Sequence, residues 1–277
     1  MSYTINKQIT SFNQIDWINV QNLIGGQITV LSCNNNLVTS FEHLPNSVTE
    51  LYCDNNQINS FQHLPNTVTK LCCNNNQITS FQHLVNSVTE LYCDNNQINT
   101  FQHLPNSVNI LFCNNNQITT FKGISNNVTE LYCNNNQITS FKGIPNSVIE
   151  LSCNDNQITS FQHLPTSVIE LSCNDNQITS FQYLPSDITK LFCYNNPINN
   201  IKNLLYIPLK FNSDIHITLN VIYNNRIIDG LDKINNIFKN TQCIKIQKMW
   251  QKYWYDDLIY MDGTQMCRYG YYCWTQM

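Results

Sequence analysis

The chain has 277 residues, of which 42% are apolar and 12% are charged. This composition is typical of a folded protein and excludes a chain that is disordered throughout. No stretch approaches the roughly 18 uninterrupted apolar residues of a membrane-spanning helix. Residues 1–26 also lack the basic start and apolar core of a secretory leader. We therefore expect no membrane contact, no secretion and a cytoplasmic location.

The net charge of −4 is unevenly distributed along the chain. Residues 30–199 carry 11 acidic and 4 basic side chains, whereas residues 200–277 carry 6 acidic and 9 basic ones. Binding to a phosphate backbone draws its affinity from clustered lysine and arginine. The acidic central region therefore argues against nucleic acid as a partner.

The first predicted element is a short helix near the start of the chain. The segment from Asp16 to Leu23 has the pattern of a short helix, and the glycine pair Gly25 and Gly26 ends it. Because the open end of a repeat array needs a cover, we interpret residues 1–29 as an N-terminal cap.

A repeat with a period of 20 residues fills positions 30–199. Each copy has a leucine, a cysteine two residues later and an asparagine three residues after that. The leucines are Leu31, Leu51, Leu71, Leu91, Leu111, Leu131, Leu151, Leu171 and Leu191. The cysteines are Cys33, Cys53, Cys73, Cys93, Cys113, Cys133, Cys153, Cys173 and Cys193. The asparagines are Asn36, Asn56, Asn76, Asn96, Asn116, Asn136, Asn156, Asn176 and Asn196.

Apolar and polar residues alternate around each leucine, which predicts a strand with one buried face. In one copy Leu51 and Cys53 should point inward, whereas Glu50, Tyr52 and Asp54 should point outward. Equal repeat lengths then place the strands side by side in a parallel sheet, about 4.8 Å apart.

The asparagine of each repeat stands where the chain leaves its strand. A buried amide there can bond N–H and C=O groups of neighbouring coils, so we expect the nine asparagines to form a structural ladder. Asn114, which alternates outward, is expected to contribute little. The return segment from Phe61 to Pro65 should be extended or 3₁₀, because proline disfavours an α-helix.

The repeat resembles the leucine-rich repeat LxxLxLxxN, with cysteine in the third leucine position and Asn56 as the signature asparagine of one copy. Its length and its Leu-Pro ending resemble the short bacterial-type subclass, and residues 141–148 are similar to the FNIP repeat. The asparagine-rich composition resembles leucine-rich-repeat proteins of giant amoeba-infecting viruses, which implies a host cytoplasmic location. The resemblance implies an α/β-type leucine-rich-repeat solenoid, with a curved parallel β-sheet on the concave face and a thin convex side.

The repeat ends at Asn199, and we interpret residues 200–277 as a C-terminal cap subdomain. Residues 200–230 have the pattern of short irregular strands. Helical spacing of apolar residues over 231–261 predicts an amphipathic helix in the cap. Within it, the segment from Ile246 to Trp254 resembles the start of an IQ segment that binds calmodulin-like proteins. Gln251 stands where that motif has a basic residue, so we favour the capping role.

The cysteine and histidine columns raise the question of a redox or metal site. Strand spacing permits disulfides between coils, but burial of a small apolar side chain accounts for every ladder cysteine. Cys72, Cys243, Cys267 and Cys273 lie outside the ladder without metal-ligand spacing, and Cys72 is expected to face outward and react readily. A flat column of imidazoles is poor geometry for zinc. We therefore expect no metal and no cofactor, and interpret as solvated repeat residues His43, His63, His83, His103 and His163.

The outward columns of the sheet are the candidate binding site. Aromatic residues on a rigid sheet offer contact area at low entropic cost, and glutamates flank them, so the surface fits a basic, partly apolar protein. The candidate residues are Glu50, Tyr52, Glu90, Tyr92, Ile110, Phe112, Glu130 and Tyr132.

The sequence contains no catalytic motif in its repeats, which argues against an enzyme. The leading hypothesis is a protein-protein interaction module. The alternative is a recognition arm for a ubiquitin-ligase-like activity in the C-terminal tail, as in some bacterial proteins with this repeat subclass. No motif for such a nucleophile surrounds the tail cysteines.

Overall fold

The computed structural model describes residues 1–198 and four further strands, namely Ile217–Thr218, Leu258–Met261, Thr264–Cys267 and Tyr272–Cys273. The chain divides into two units, Met1–Val221 and Ile222–Met277. The first unit contains the repeats and the second contains a small sheet.

The first unit is built on an 11-stranded parallel sheet in which each strand pairs with the next one along the chain. Equivalent residues face each other across every pair, as Leu51 faces Leu71. Between β2 and β10 the strands recur every 20 residues, which confirms the parallel sheet predicted from the repeat. The strands are β1 (Ser2–Thr4), β2 (Val30–Ser32), β3 (Glu50–Tyr52), β4 (Lys70–Cys72), β5 (Glu90–Tyr92), β6 (Ile110–Phe112), β7 (Glu130–Tyr132), β8 (Glu150–Ser152), β9 (Glu170–Ser172), β10 (Lys190–Phe192) and β11 (Ile217–Thr218).

The core consists of columns of identical side chains, one from each coil. The strand leucines and the ladder cysteines point inward and are buried, as the alternation predicted. A phenylalanine from each return segment, Phe61 in one coil, is fully buried behind them. Because every column continues into the adjacent coils, the burial of one coil depends on its neighbours.

Ring spacing differs between the core and the outward face of the sheet. The core phenylalanines from Phe81 to Phe181 stack with centroids between 6.1 and 6.5 Å apart. On the outward face of the sheet, consecutive rings lie 4.8 and 4.1 Å apart. The rings therefore lie closer together on the outward face of the sheet than in the core.

The N-terminal segment is a degenerate coil. Strand β1 adds to the edge of β2, and the N–H of Ile9 donates to Oδ1 of Asn36 at 2.8 Å. A 3₁₀ turn at Phe12–Gln14 follows, with Phe12 fully buried. The sequence did not predict this strand, because its central residue is Tyr3 and no cysteine or ladder asparagine follows it.

The predicted N-terminal helix is confirmed as α1, Trp17–Ile24. Asp16 is its N-cap and accepts the N–H of Asn19 at 3.0 Å. Gly25 ends it with a φ of 73°, a left-handed conformation that glycine adopts without strain.

Each return segment from Phe41 to Val168 contains two hydrogen-bonded turns. In one coil the N–H of Leu64 donates to the C=O of Phe61, and that of Val68 to the C=O of Pro65, both at 3.2 Å. The residue before each Leu64 equivalent has a positive φ. These residues are His43, His63, His83, His103, Gly123, Gly143, His163 and Tyr183.

The second unit contains a three-stranded antiparallel sheet of β12 (Leu258–Met261), β13 (Thr264–Cys267) and β14 (Tyr272–Cys273). The last four residues of the segment predicted as an amphipathic helix therefore form a strand. Cys243 and the calmodulin-site-like segment 246–254 lie outside the described residues, as do the side chains of Cys267 and Cys273. In the part of the chain that the structure describes, no helix is long and apolar enough to cross a membrane.

Candidate functional site

The outward face of the sheet presents two columns of side chains, one from the first and one from the third residue of each strand. These residues are half-buried in most strands, whereas the central leucines are fully covered. Since neighbouring strands are in register, each column runs straight across the sheet. All eight candidate residues lie in these two columns.

Three of the candidate aromatic residues form a continuous stack. The rings of Tyr92 and Phe112 lie 4.8 Å apart at an angle of 17°, and those of Phe112 and Tyr132 lie 4.1 Å apart at 8°. Tyr52 is separated from this stack by Cys72 on the intervening strand. The structure thus brings together three of the four candidate rings.

A lysine that the sequence analysis did not select covers one end of the stack. The ammonium of Lys70 lies 5.4 Å from the ring centroid of Tyr92, in cation–π contact. The same ammonium pairs with Glu90 at 3.0 Å, so this part of the predicted acidic rim is neutralised. The sequence signal was the lysine at position 70, between Glu50 and Glu90 in the same column.

The other end of the stack is acidic. Glu130, Glu150 and Glu170 occupy three successive strands in one column. Glu150 accepts a hydrogen bond from the Tyr132 hydroxyl, and Glu170 pairs with Lys190 at 2.7 Å. Ile110 lies between Glu90 and Glu130 in the same column, as predicted.

The tyrosine hydroxyls of the surface remain protonated at neutral pH. Partial burial and the hydrogen bond to Glu150 raise the pKa of Tyr132 further above its ordinary value. Burial also raises the pKa values of Tyr52 and Tyr92, and the hydroxyl of Tyr52 bonds to Glu50 at 3.2 Å. The hydroxyls therefore stay neutral, and each donates a hydrogen bond to a neighbouring glutamate.

Cys72 is covered by its neighbours, although the sequence predicts that it faces outward and reacts readily. Its side chain stands in the outward column, yet it is only 8% exposed between Tyr52 and Tyr92. Burial raises the pKa of its thiol to about 12. A short side chain between two long ones is covered by its neighbours, which the alternation of a single strand does not reveal.

The ladder asparagines bond to the backbone of two coils. The amide nitrogen of Asn116 donates to the C=O groups of Cys93 and Cys113, both at 3.1 Å. Its Oδ1 accepts the N–H of Ile98 at 2.9 Å. This pattern recurs along the array and fixes the coil spacing that the aromatic stack requires.

A second ladder lies further out, and the expectation that Asn114 contributes little is wrong. Oδ1 of Asn114 accepts the N–H of Asn134 at 2.8 Å, and Oδ1 of Asp94 accepts the N–H of Asn114 at 2.7 Å. The same bond links Asp54 to Asn74. Desolvation raises the pKa values of both aspartates, while these bonds to the following coil lower them.

Metal-site geometry is absent from the described part of the chain: no three histidine, cysteine or acidic residues there could hold an ion together. The histidine column lies exposed on the return side, away from the aromatic stack. The cysteines from Cys33 to Cys193 are all free thiols.

Comparisons with known proteins identify the fold alone. No protein-family profile and no curated protein matches the sequence. Among solved structures, YopM from Yersinia enterocolitica aligns over 61% of this chain and 43% of its own, with 22% identity and a TM-score of 0.51. An internalin from Listeria monocytogenes aligns over 76% and 71%, with 20% identity and a TM-score of 0.54. A chain of the octameric complex of Latrophilin 3, Unc5D and FLRT2 aligns over 71% and 76%, with 22% identity and a TM-score of 0.52.

These similarities and the sheet geometry define the class of the first unit as a leucine-rich-repeat-like solenoid with 20-residue repeats. The chain spans less than half of the YopM chain that it matches. The relatives in fold do not specify a ligand for this chain.

Proposed function

We propose that this protein is a non-enzymatic interaction module that binds a protein partner on the concave face of its sheet. The stack of Tyr92, Phe112 and Tyr132 carries the proposal. Three half-exposed rings on consecutive strands form a preorganised surface, because each ring is already held against its neighbour in the free protein. Rigid aromatic side chains of this kind commonly supply the dominant contacts of protein interfaces.

The charges around the stack suit a partner that is basic and partly apolar. Ile110 supplies an aliphatic centre, and Glu130 and Glu150 supply negative charge on the side away from Lys70. Complementary rim charges chiefly accelerate association and make it sensitive to salt. The fold relative FLRT2 was solved in a complex with other proteins, which is consistent with use of such a solenoid for protein binding.

The test is a triple variant in which Tyr92, Phe112 and Tyr132 are replaced by alanine. Partners captured from the native cell by the wild-type protein are identified, and the affinity of a purified partner is measured by calorimetry. Loss of one anchor typically costs about 2 kcal/mol, so the triple variant should bind at least roughly 30-fold more weakly.

The matched control replaces His63, His83 and His103 on the opposite side by glycine, which suits their positive φ values. Both variants must keep the β-sheet signal and melting temperature of the wild type. If the histidine variant loses the partner and the aromatic variant retains it, the binding surface lies on the return side and the proposal is wrong.

A further inference from the structure

The two ends of the aromatic stack differ in what covers the terminal ring. At one end, Lys70 lies over Tyr92 and pairs with Glu90. At the other, one face of Tyr132 packs on Phe112, and the next strand in the column supplies Ser152 in place of a ring. Among the described residues, no ring or cation lies over that second face of Tyr132.

The strands beyond Tyr132 form a shallow depression in the column. Ser152 and Ser172 are its floor, and the next ring in the column belongs to Phe192, three strands away from Tyr132. At a strand spacing of about 4.8 Å, this leaves roughly 14 Å between the two aromatic positions. That width accommodates a side chain that stacks on one wall.

The floor is already satisfied in its hydrogen bonding. The hydroxyl of Ser152 donates to Oδ1 of Asn134 at 2.8 Å, and that of Ser172 to Oδ1 of Asn154 at 2.8 Å. The serine hydroxyls of the floor therefore need no hydrogen bond from a ligand. Recognition must come from the walls and from the flanking carboxylates.

The flanking carboxylates outnumber the cations. Glu130, Glu150 and Glu170 all act electrostatically on the Tyr132 hydroxyl and raise its pKa, after the larger contributions from burial and the Glu150 hydrogen bond. Within the described residues, the ion pair on this side of the stack joins Lys190 to Glu170. Negative charge thus remains beside the open face of Tyr132.

We propose that the open face of Tyr132, with Glu150 and Glu130 beside it, binds an arginine side chain of the partner protein. The arrangement would reproduce at this end what Lys70, Tyr92 and Glu90 form at the other, with a cation on the ring face paired to a carboxylate. A guanidinium fits because it stacks flat on an aromatic ring and donates two parallel hydrogen bonds to a carboxylate. This inference rests on the proposed function and names the chemistry that the partner presents.

The test uses a fluorescent octapeptide with two arginines between valines, and a matched peptide in which citrulline replaces arginine. Citrulline has nearly the same shape without the charge. Binding to the full chain is measured by fluorescence anisotropy up to millimolar protein. The arginine peptide should bind at least tenfold more tightly than the citrulline peptide, and the difference should shrink in high salt.

Ser152→Tyr covers the open face of Tyr132 with a side chain that other coils already carry at this position, so we expect the variant to fold. It should weaken binding of the arginine peptide at least tenfold, and Glu150→Gln should weaken it independently. Thr159→Tyr adds the same side chain to the same coil at an exposed position off the strand, and should leave affinity unchanged.

The inference is overturned if wild-type protein does not distinguish the two peptides, or if Ser152→Tyr binds the arginine peptide as well as wild type does. Should a natural partner depend on Tyr92 and Phe112 but not on Ser152, the proposed function stands and the arginine site fails. Should the arginine peptide require Ser152 while no protein partner requires the stack, the arginine site stands and the proposed function fails.

Discussion

Asn116 shows how one side chain can stabilise two coils at once. It donates to one C=O group of its own coil and to one of the preceding coil, and it accepts one N–H of the preceding coil. Asn114, two residues earlier, makes one such bond to the following coil and lies half-buried. The two positions therefore differ in how many backbone groups they satisfy.

We expect Asn116→Ala to lower the free energy of unfolding by about 3 kcal/mol, because it leaves several buried backbone groups without partners. Asn114→Ala should cost about 1 kcal/mol, since a single N–H loses its acceptor. Urea titration followed by circular dichroism measures both, with exposed Gln117→Ala as the control. Equal losses at positions 114 and 116 would contradict the assignment of inner and outer ladders.

Burial controls the chemistry of the cysteines. It raises the pKa values of Cys33, Cys72 and Cys193 from 9.0 to about 12, and those of the cysteines between them also rise. A thiol reacts as its thiolate. A raised pKa therefore slows labelling in addition to the steric protection.

We expect Cys72 to label as slowly as Cys93 in the folded protein at pH 8. A pKa of about 12 lowers the thiolate fraction by about a thousandfold relative to the ordinary thiol. The measurement is disulfide exchange with an aromatic disulfide reagent, in a variant with Cys243, Cys267 and Cys273 changed to serine. Labelling should become rapid in urea. Fast labelling of Cys72 in native protein at pH 8 would show that its neighbours do not protect it.

The same shifts give a pH dependence of stability. The unfolded chain loses thiol protons near pH 9, whereas the folded chain holds them to about pH 12 in the case of Cys33. The contribution of these thiols to stability is therefore complete below pH 9 and is lost progressively as the pH rises toward 12.

At the scale of the element, the turn before each Leu64 equivalent explains the histidine column. His103 has a φ of 69°, and the corresponding residue two coils later is Gly143 with a φ of 99°. Histidine is among the residues that tolerate this region, and glycine adopts it without strain. Backbone conformation therefore accounts for the histidines and glycines at this position without a ligand.

We expect His103→Val to lower the free energy of unfolding by about 2 kcal/mol, because a β-branched residue is strained at positive φ. His103→Gly should change it by less than about 0.5 kcal/mol, since relief of strain offsets the greater freedom of the unfolded chain. Both values come from urea unfolding. Equal stability of the two variants would exclude the conformational explanation.

At the scale of the whole molecule, stability comes from stacking of coils in register. The leucine, cysteine, phenylalanine and asparagine columns each continue from coil to coil. A deletion that spans one full period leaves every column continuous, whereas a deletion of half a period interrupts all of them. The two kinds of deletion should therefore have very different effects.

We expect deletion of residues 61–80 to leave a folded array whose melting temperature lies within about 5 °C of the parent. Ser60 is then followed by Phe81, which takes the place of Phe61 in the core. Deletion of residues 66–75 removes strand β4 and half a coil, so it should broaden or split the transition. Thermal unfolding followed by circular dichroism compares them. Similar profiles for both deletions would contradict stacking in register.

The sequence alone determined the period, the direction of the strands and the inward or outward position of each strand residue. These properties depend on spacing along the chain, and a 20-residue repeat with alternating burial permits one register. The N-cap at Asp16 and the glycine at the end of α1 were equally local signals. Neither requires knowledge of a neighbouring coil.

Only the tertiary structure decided which side chains of neighbouring coils meet. Four features join residues about 20 positions apart. They are the cover over Cys72, the bond from the Asn134 N–H to Asn114, the Lys70 cation over Tyr92 and the open face of Tyr132. Such contacts depend on side-chain length and rotamer across adjacent strands, which the pattern within one repeat does not specify. The proposed binding surface is a property of the stacked coils for that reason.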